Sequence, residues 1–134
     1  MAIIETGIAA YLLSYAALTA VVGTRIYPER FPQSTTMPCV IYTRIDTPRE
    51  LTHDMSGATG TLAHPTFQFE AWGETALICK TITDILRAAL NGKTGDMGGV
   101  TVRGALIADE RQTIYSPEFE LYRRDSDYII WQEE

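Results

Sequence analysis

The chain has 134 residues, 46% hydrophobic and 21% charged, the size and composition of one globular domain able to bury its own core. Its net charge is −6, and eight of the 17 acids fall in residues 109–134 against three arginines. Without a cluster of Lys and Arg to neutralise phosphates, sequence-specific nucleic-acid binding is not expected, and Cys39 and Cys79 lack the spacing of a zinc site or a secreted disulfide scaffold.

Between Glu5 and Arg25 no residue is charged, so "GIAAYLLSYAALTAVVG" invites a reading as a signal peptide or a membrane span. A signal peptide wants a basic leading region, and the charge ahead of this run is the acidic Glu5. The run is also rich in Ala, with Ser14, Thr19 and two tyrosines, which weakens insertion. Ile4, Ile8, Tyr11, Leu12, Tyr15, Leu18 and Val22 step by threes and fours, drawing one apolar stripe. We read a buried amphipathic helix over residues 3–21, with 14–16 as the place for a break and Gly23 as its stop. No membrane partner is expected.

Residues 25–27 form a short extended piece. Pro28, Pro32 and Pro38 then exclude helix before each of them and remove backbone donors, so this arm stays non-helical up to a strand over 39–47. It is either a crossover loop at the sheet edge or a rim that contacts another subunit. Residues 48–63 lose periodicity and collect Gly, Ser, Thr, Asp and Pro, as expected of a long loop or the tip of an extended hairpin. Along residues 65–72 Phe67, Phe69 and Ala71 alternate with Gln68 and Glu70, which predicts a strand. A helix over 75–90 buries Ile78, Ile82, Ile85, Leu86 and Ala89 and turns Lys80, Thr83, Asp84 and Arg87 to water; Asn91-Gly92 ends it. "KTGDMGG" reads as a turn, and strands over 99–109 and 120–132 flank "QTIYSPEF". The expected fold class is α+β: one domain over 1–134, a mainly antiparallel sheet of four to five strands, and two amphipathic helices on one face.

Site chemistry is sparse. His53 beside Asp54 and His64 before Pro65 carry no HExxH or carboxylate spacing, so no metal is expected. The serines lack a GxSxG elbow, and "GDMGG" and "SGATG" lack phosphate-cradling spacing. Cys79 lies near the buried stripe of the second helix, a poor place for a nucleophile. Tyr115, Tyr122, Tyr128 and Trp131 fit core packing and sheet pairing, or an interface.

Taken in order, "ETGIAAYLLSYAALTAVVGTRIYPERFPQ", "MPCVIYTRI", "PTFQFEAWGET" and "GGVTVRGALIADERQTIYSPEFELYRRDSDYIIW" resemble the tail-completion proteins of long-tailed bacteriophages, also called tail-terminator or head–tail joining proteins. The resemblance spans essentially the whole chain, least typically at 48–63. It implies a non-enzymatic virion protein without cofactor, assembled in the host bacterial cytoplasm. Its copies would form a homo-oligomeric ring, typically a hexamer, on the head-proximal end of the tail tube. The partners implied are the chain itself, the tail-tube protein and the head-connector or neck protein, with DNA passing through the ring. Arg49, Glu50, His53 and Asp54 in the long loop, with Tyr27 and Phe31 in the proline arm, are the candidate interface residues. Two other classes remain open: another neck or tail-tube subunit, and a small hydrolase or ligand-binding domain gathering His53 and His64 with nearby carboxylates.

Overall fold

The computed structural model of the chain describes residues 4–30, 32, 35–46, 49–51 and 61–133, of which 49–51, 61, 62 and 133 are described by backbone alone. The first apolar stripe makes two helices, α1 (Ile4–Leu13) and α2 (Ala16–Val22), bent by 83° at the expected break. Ser14 directs its hydroxyl to the Tyr11 carbonyl at 2.6 Å, and Tyr15 is extended. The bend has a packing reason. Leu12 and Leu18 are six residues apart, so on a straight helix they would face different sides; bent, both are fully buried. Gly23, at φ 59°, closes α2 with its N–H on the Thr19 carbonyl. No single helix among the described residues is long and apolar enough to cross a membrane.

The chain continues through β1 (Ile26–Pro28), β2 (Cys39–Asp46), β3 (Arg49–Leu51), β4 (Thr61–Ala63) and β5 (Thr66–Gly73). Then come α3 (Ala76–Leu90), β6 (Gly95–Met97), β7 (Val100–Glu110), β8 (Ile114–Ser116) and β9 (Leu121–Glu133). β2 and β3 pair with β5 and β4 as one long hairpin, the register from Asp46↔Thr66 carrying straight on to Arg49↔Ala63. A bulge at Ile45 offsets the rest of the ladder. β9 holds the sheet together, lying beside β5 and β4 on one edge and β7 and β8 on the other.

Several expectations need correction. The sheet has more strands than the four to five expected, because β6 forms within the presumed "KTGDMGG" turn and β8 within "QTIYSPEF". It is mixed, since β1 pairs with β2 in parallel. There are three helices, the first predicted one being divided. Thr83 is fully buried instead of facing water, its hydroxyl donating to the Cys79 carbonyl at 2.9 Å.

The helices pack on one face of the sheet. α3 lies over β5, β7 and β9, and α1 reaches β1 and β6. Thr75 caps α3 by accepting from the Ile78 N–H at 3.2 Å. Beneath the helices Val40, Tyr42, Phe67, Phe69, Ala105, Tyr128 and Ile130 join Ile8, Leu18, Ile82 and Leu86 in the main core. The opposite face carries a smaller cluster, Cys39, Ile41 and Trp72, onto which Tyr27, Met37 and Leu121 pack. That explains why β2 is buried on both faces over Cys39–Tyr42 despite lying near an edge.

Candidate assembly surface

The strand alternation that buries Phe67, Phe69 and Ala71 sends Gln68, Glu70 and Trp72 to the helix-free face. A Trp on a polar row needs cover, and two distant segments supply it. The stretch after β1 carries Glu29 and Arg30, and the turn before β9 carries Phe119. Together with Ile41, Glu70 and Trp72 they line an open cleft of about 570 Å³.

The cleft floor is held from several sides. The Trp72 indole Nε1 donates to Glu70 Oε1 at 2.9 Å, and Gln68 Nε2 lies 3.4 Å from Glu70 Oε2. Phe119 meets Trp72 edge-on, with centroids 5.7 Å apart and planes at 87°. The Arg123 guanidinium sits 5.6 Å from the Trp72 ring centroid. Among the described residues Glu29, at the cleft, and Glu120, next to Phe119, are the non-glycine residues with positive φ, at 67° and 54°. Such backbone is uncommon for Glu and indicates that its surroundings hold it there.

Charge continues along the same face. Asp125 is the cross-strand neighbour of Glu70. Its carboxyl is pushed above the usual range by burial, with Arg123 opposing the shift and Glu70 reinforcing it. Arg123 Nε approaches Asp125 Oδ1 at 3.1 Å as an ion pair without an aligned hydrogen bond. Arg111 clasps Asp127 at 2.6 Å and reaches Asp125 at 3.9 Å.

The structure treats the sequence-derived interface candidates unequally. Tyr27 lies in β1 opposite Ile41, half-buried against the Cys39–Ile41–Trp72 cluster, so it helps to wall the outer face. Arg49 and Glu50 are in β3, paired through their backbones with Ala63 and Leu62. Phe31, His53 and Asp54 lie outside the described residues. His64 stacks on Trp131 with centroids 4.2 Å apart and planes at 20°. Among the described residues no group of three or more His, Cys, Asp or Glu is placed to hold a metal. Cys39 and Cys79 are free and buried; burial pushes their thiols up to about 12 and about 11, away from nucleophilic use. Sequence reasoning missed the cleft because Glu29, Trp72 and Phe119 are joined only by the fold. The available signal was the Trp ending the polar row of "PTFQFEAW".

The family model described as tail completion protein gp17 matches residues 6–133. The chain belongs to that family. Membership makes it a structural protein of a phage-type virion, located in the tail or neck. A solved chain from the "Virion of native gene transfer agent (GTA) particle" has the same fold. Its TM-score is 0.71 at 20% identity, and the match covers 95% of this chain and 92% of that one. No curated protein matches the sequence.

Proposed function

We propose that the protein closes the head-proximal end of a tail tube as a homo-oligomeric ring of six copies, stops tube growth there and forms the joint to the head connector. The observation that carries this reading is the family match over nearly the whole chain. Two features support it. The β2–β3/β4–β5 hairpin continues its ladder to Leu51 and Thr61, with β4 paired to the end of β9 and β3 beyond it, giving a sheet edge that a neighbour can meet. The chain's net charge of −6 suits a ring around passing DNA, because like charge keeps the duplex from adhering. The role is structural, without catalysis or cofactor.

In this reading Arg49, Glu50, His53 and Asp54 act at the hairpin end, with Tyr27 and Phe31 on the proline arm, against the tail-tube protein or the connector. Native mass spectrometry across a concentration series, alone and with purified tail tubes, tests the ring. A closed oligomer is expected in at least one of these settings, because a cap must match the rotational symmetry of its tube. A strict monomer at every concentration, with no ring on added tubes, overturns it. Hydrogen exchange tests the hairpin end: amides 50–60 should gain protection on tail binding. Replacing 50–60 by a short Gly-Ser turn should leave the domain folded and impair tail completion.

A further inference from the structure

The stretch that joins β7 to β9 is bound to the fold without being buried in it. From Arg111 to Glu120 no residue is buried, and Ile114, Tyr115 and Phe119 stand 51%, 51% and 48% exposed. The run Asp125–Tyr128 of β9 beside it is buried throughout. Ordering the stretch costs backbone entropy with little burial of apolar surface to offset it, so its stability rests on specific contacts.

Those contacts are spread along it. At the start, the Arg111 N–H donates to the Asp125 carbonyl at 3.0 Å, and its guanidinium meets the two Asp127 carboxylate oxygens at 2.6 and 3.3 Å. Asp109 and Asp125 lie 3.4 and 3.9 Å from the same guanidinium. In the middle, β8 pairs with Leu121–Arg123, the Tyr115 ring stands 5.1 Å from Tyr122, and Thr113 Oγ1 accepts from Arg124 at 3.3 Å. At the far end Phe119 leans on Trp72, and Glu120 turns the chain into β9 on its positive φ.

Arg111 is the strongest of these anchors. Asp109 and Asp127 face each other across the β7–β9 ladder, a like-charge pair that repels unless a cation stands between them. The Asp125 and Asp127 side chains are 8% and 12% exposed and belong to β9, so they stay in place when the stretch moves. A forked, charge-assisted bond to a fixed and largely dry carboxylate outweighs contacts between exposed rings.

We propose that residues 111–120 are a strap that opens as one unit while the helices and the rest of the sheet stay folded, and that Arg111 is its latch. Opening lifts Phe119 off Trp72 and strips β8 from Leu121–Arg123, leaving an aromatic ring beside an unpaired strand edge. Elements that move on binding are drawn from this low-stability end of a structure. The inference concerns the free chain and does not rest on the assembly reading.

Residue-resolved amide hydrogen exchange of the full chain in low concentrations of urea tests it. The Arg111 N–H and the β8 amides bonded to β9 should share one opening constant with little urea dependence, whereas the Ile82 and Leu86 amides of α3 should follow global unfolding. Arg111→Gln and Asp127→Asn should each raise strap opening relative to α3 about fivefold, the size of one partly exposed ion pair. The double variant should open no more readily than the single ones, because both changes remove the same bond. Strap amides that open only together with α3, opening constants that differ along the strap, or additive effects of the two substitutions overturn the proposal.

Discussion

Gly7 of α1 and Gly98 of the β6–β7 turn touch backbone to backbone. A Cβ added at Gly98 would lie 2.6 Å from Gly7 Cα and 2.7 Å from its carbonyl oxygen, and one added at Gly7 would overlap the Met97 carbonyl oxygen. The turn demands glycine for a second reason: Gly98 and Gly99 have φ of 59° and 96°, the two left-handed residues of a tight hairpin. Gly7→Ala should therefore cost about 1–3 kcal/mol through overpacking alone, and Gly98→Ala about 1–2 kcal/mol more for its φ. Gly92 has φ 85° but nothing within 4 Å of its would-be Cβ, so Gly92→Ala isolates the conformational cost. Urea midpoints should fall least for Gly92→Ala and most for Gly98→Ala. Equal losses at all three positions would show that the close approach contributes nothing.

The outer edge of β7 is closed by the end of α3. Gly92 N–H donates to the Ala105 carbonyl at 2.6 Å, and Ile107 N–H donates to Asn91 Oδ1 at 3.0 Å. An open edge beside the exposed Leu106 would invite pairing with another chain. Asn91→Ala should lower stability by about 1 kcal/mol and make association concentration-dependent. Asn91→Asp keeps the acceptor and should remain close to the wild type. Light scattering and urea unfolding check both, and an Asn91→Ala variant that scatters like the parent refutes the edge-guard role.

Burial raises both thiols, and the sign of the linked pH effect follows. An unfolded cysteine titrates near 9.0, whereas the folded values are about 12 for Cys39 and about 11 for Cys79. The stability linked to keeping them protonated is fully present below pH 9 and is lost as pH rises through those folded values. Tyr128, pushed up to about 12 by burial, adds a loss of the same sign above pH 10. Urea unfolding at a series of pH values should show stability falling above pH 9, with a shallower fall in Cys39→Ala. At pH 8 iodoacetamide should label neither thiol of the folded chain; rapid labelling of the native protein would contradict the burial.

His64 works as a packing residue against Trp131. His64→Ala should cost about 0.5–1.5 kcal/mol from the lost stack, and His64→Phe should restore most of it. Replacing His53 and His64 together should cost no more than His64 alone, and chelators should leave the melting temperature unchanged. A large chelator effect would revive a metal role for the pair.

Much of this fold is legible wherever the cause is local. Gly23 and Asn91-Gly92 end helices because a glycine accepts the backbone that closes them, and Ser14 breaks one because its hydroxyl competes for a helix carbonyl. The alternation through Phe67 and Phe69 assigns a strand and its buried face without knowledge of any partner. The order of those elements along the chain was enough to carry the family resemblance. Tertiary structure decided the rest. Three-residue strands such as β1, β6 and β8 have no periodicity to read, and they exist only because β2, β7 and β9 offer them an edge. Thr83 is buried because α3 lies flat on the sheet, and its hydroxyl finds a carbonyl within the helix. The cleft gathers Glu29, Glu70, Trp72 and Phe119 from three separate segments. No spacing in the sequence links them, because the contacts between them come from strand pairing between residues distant along the chain.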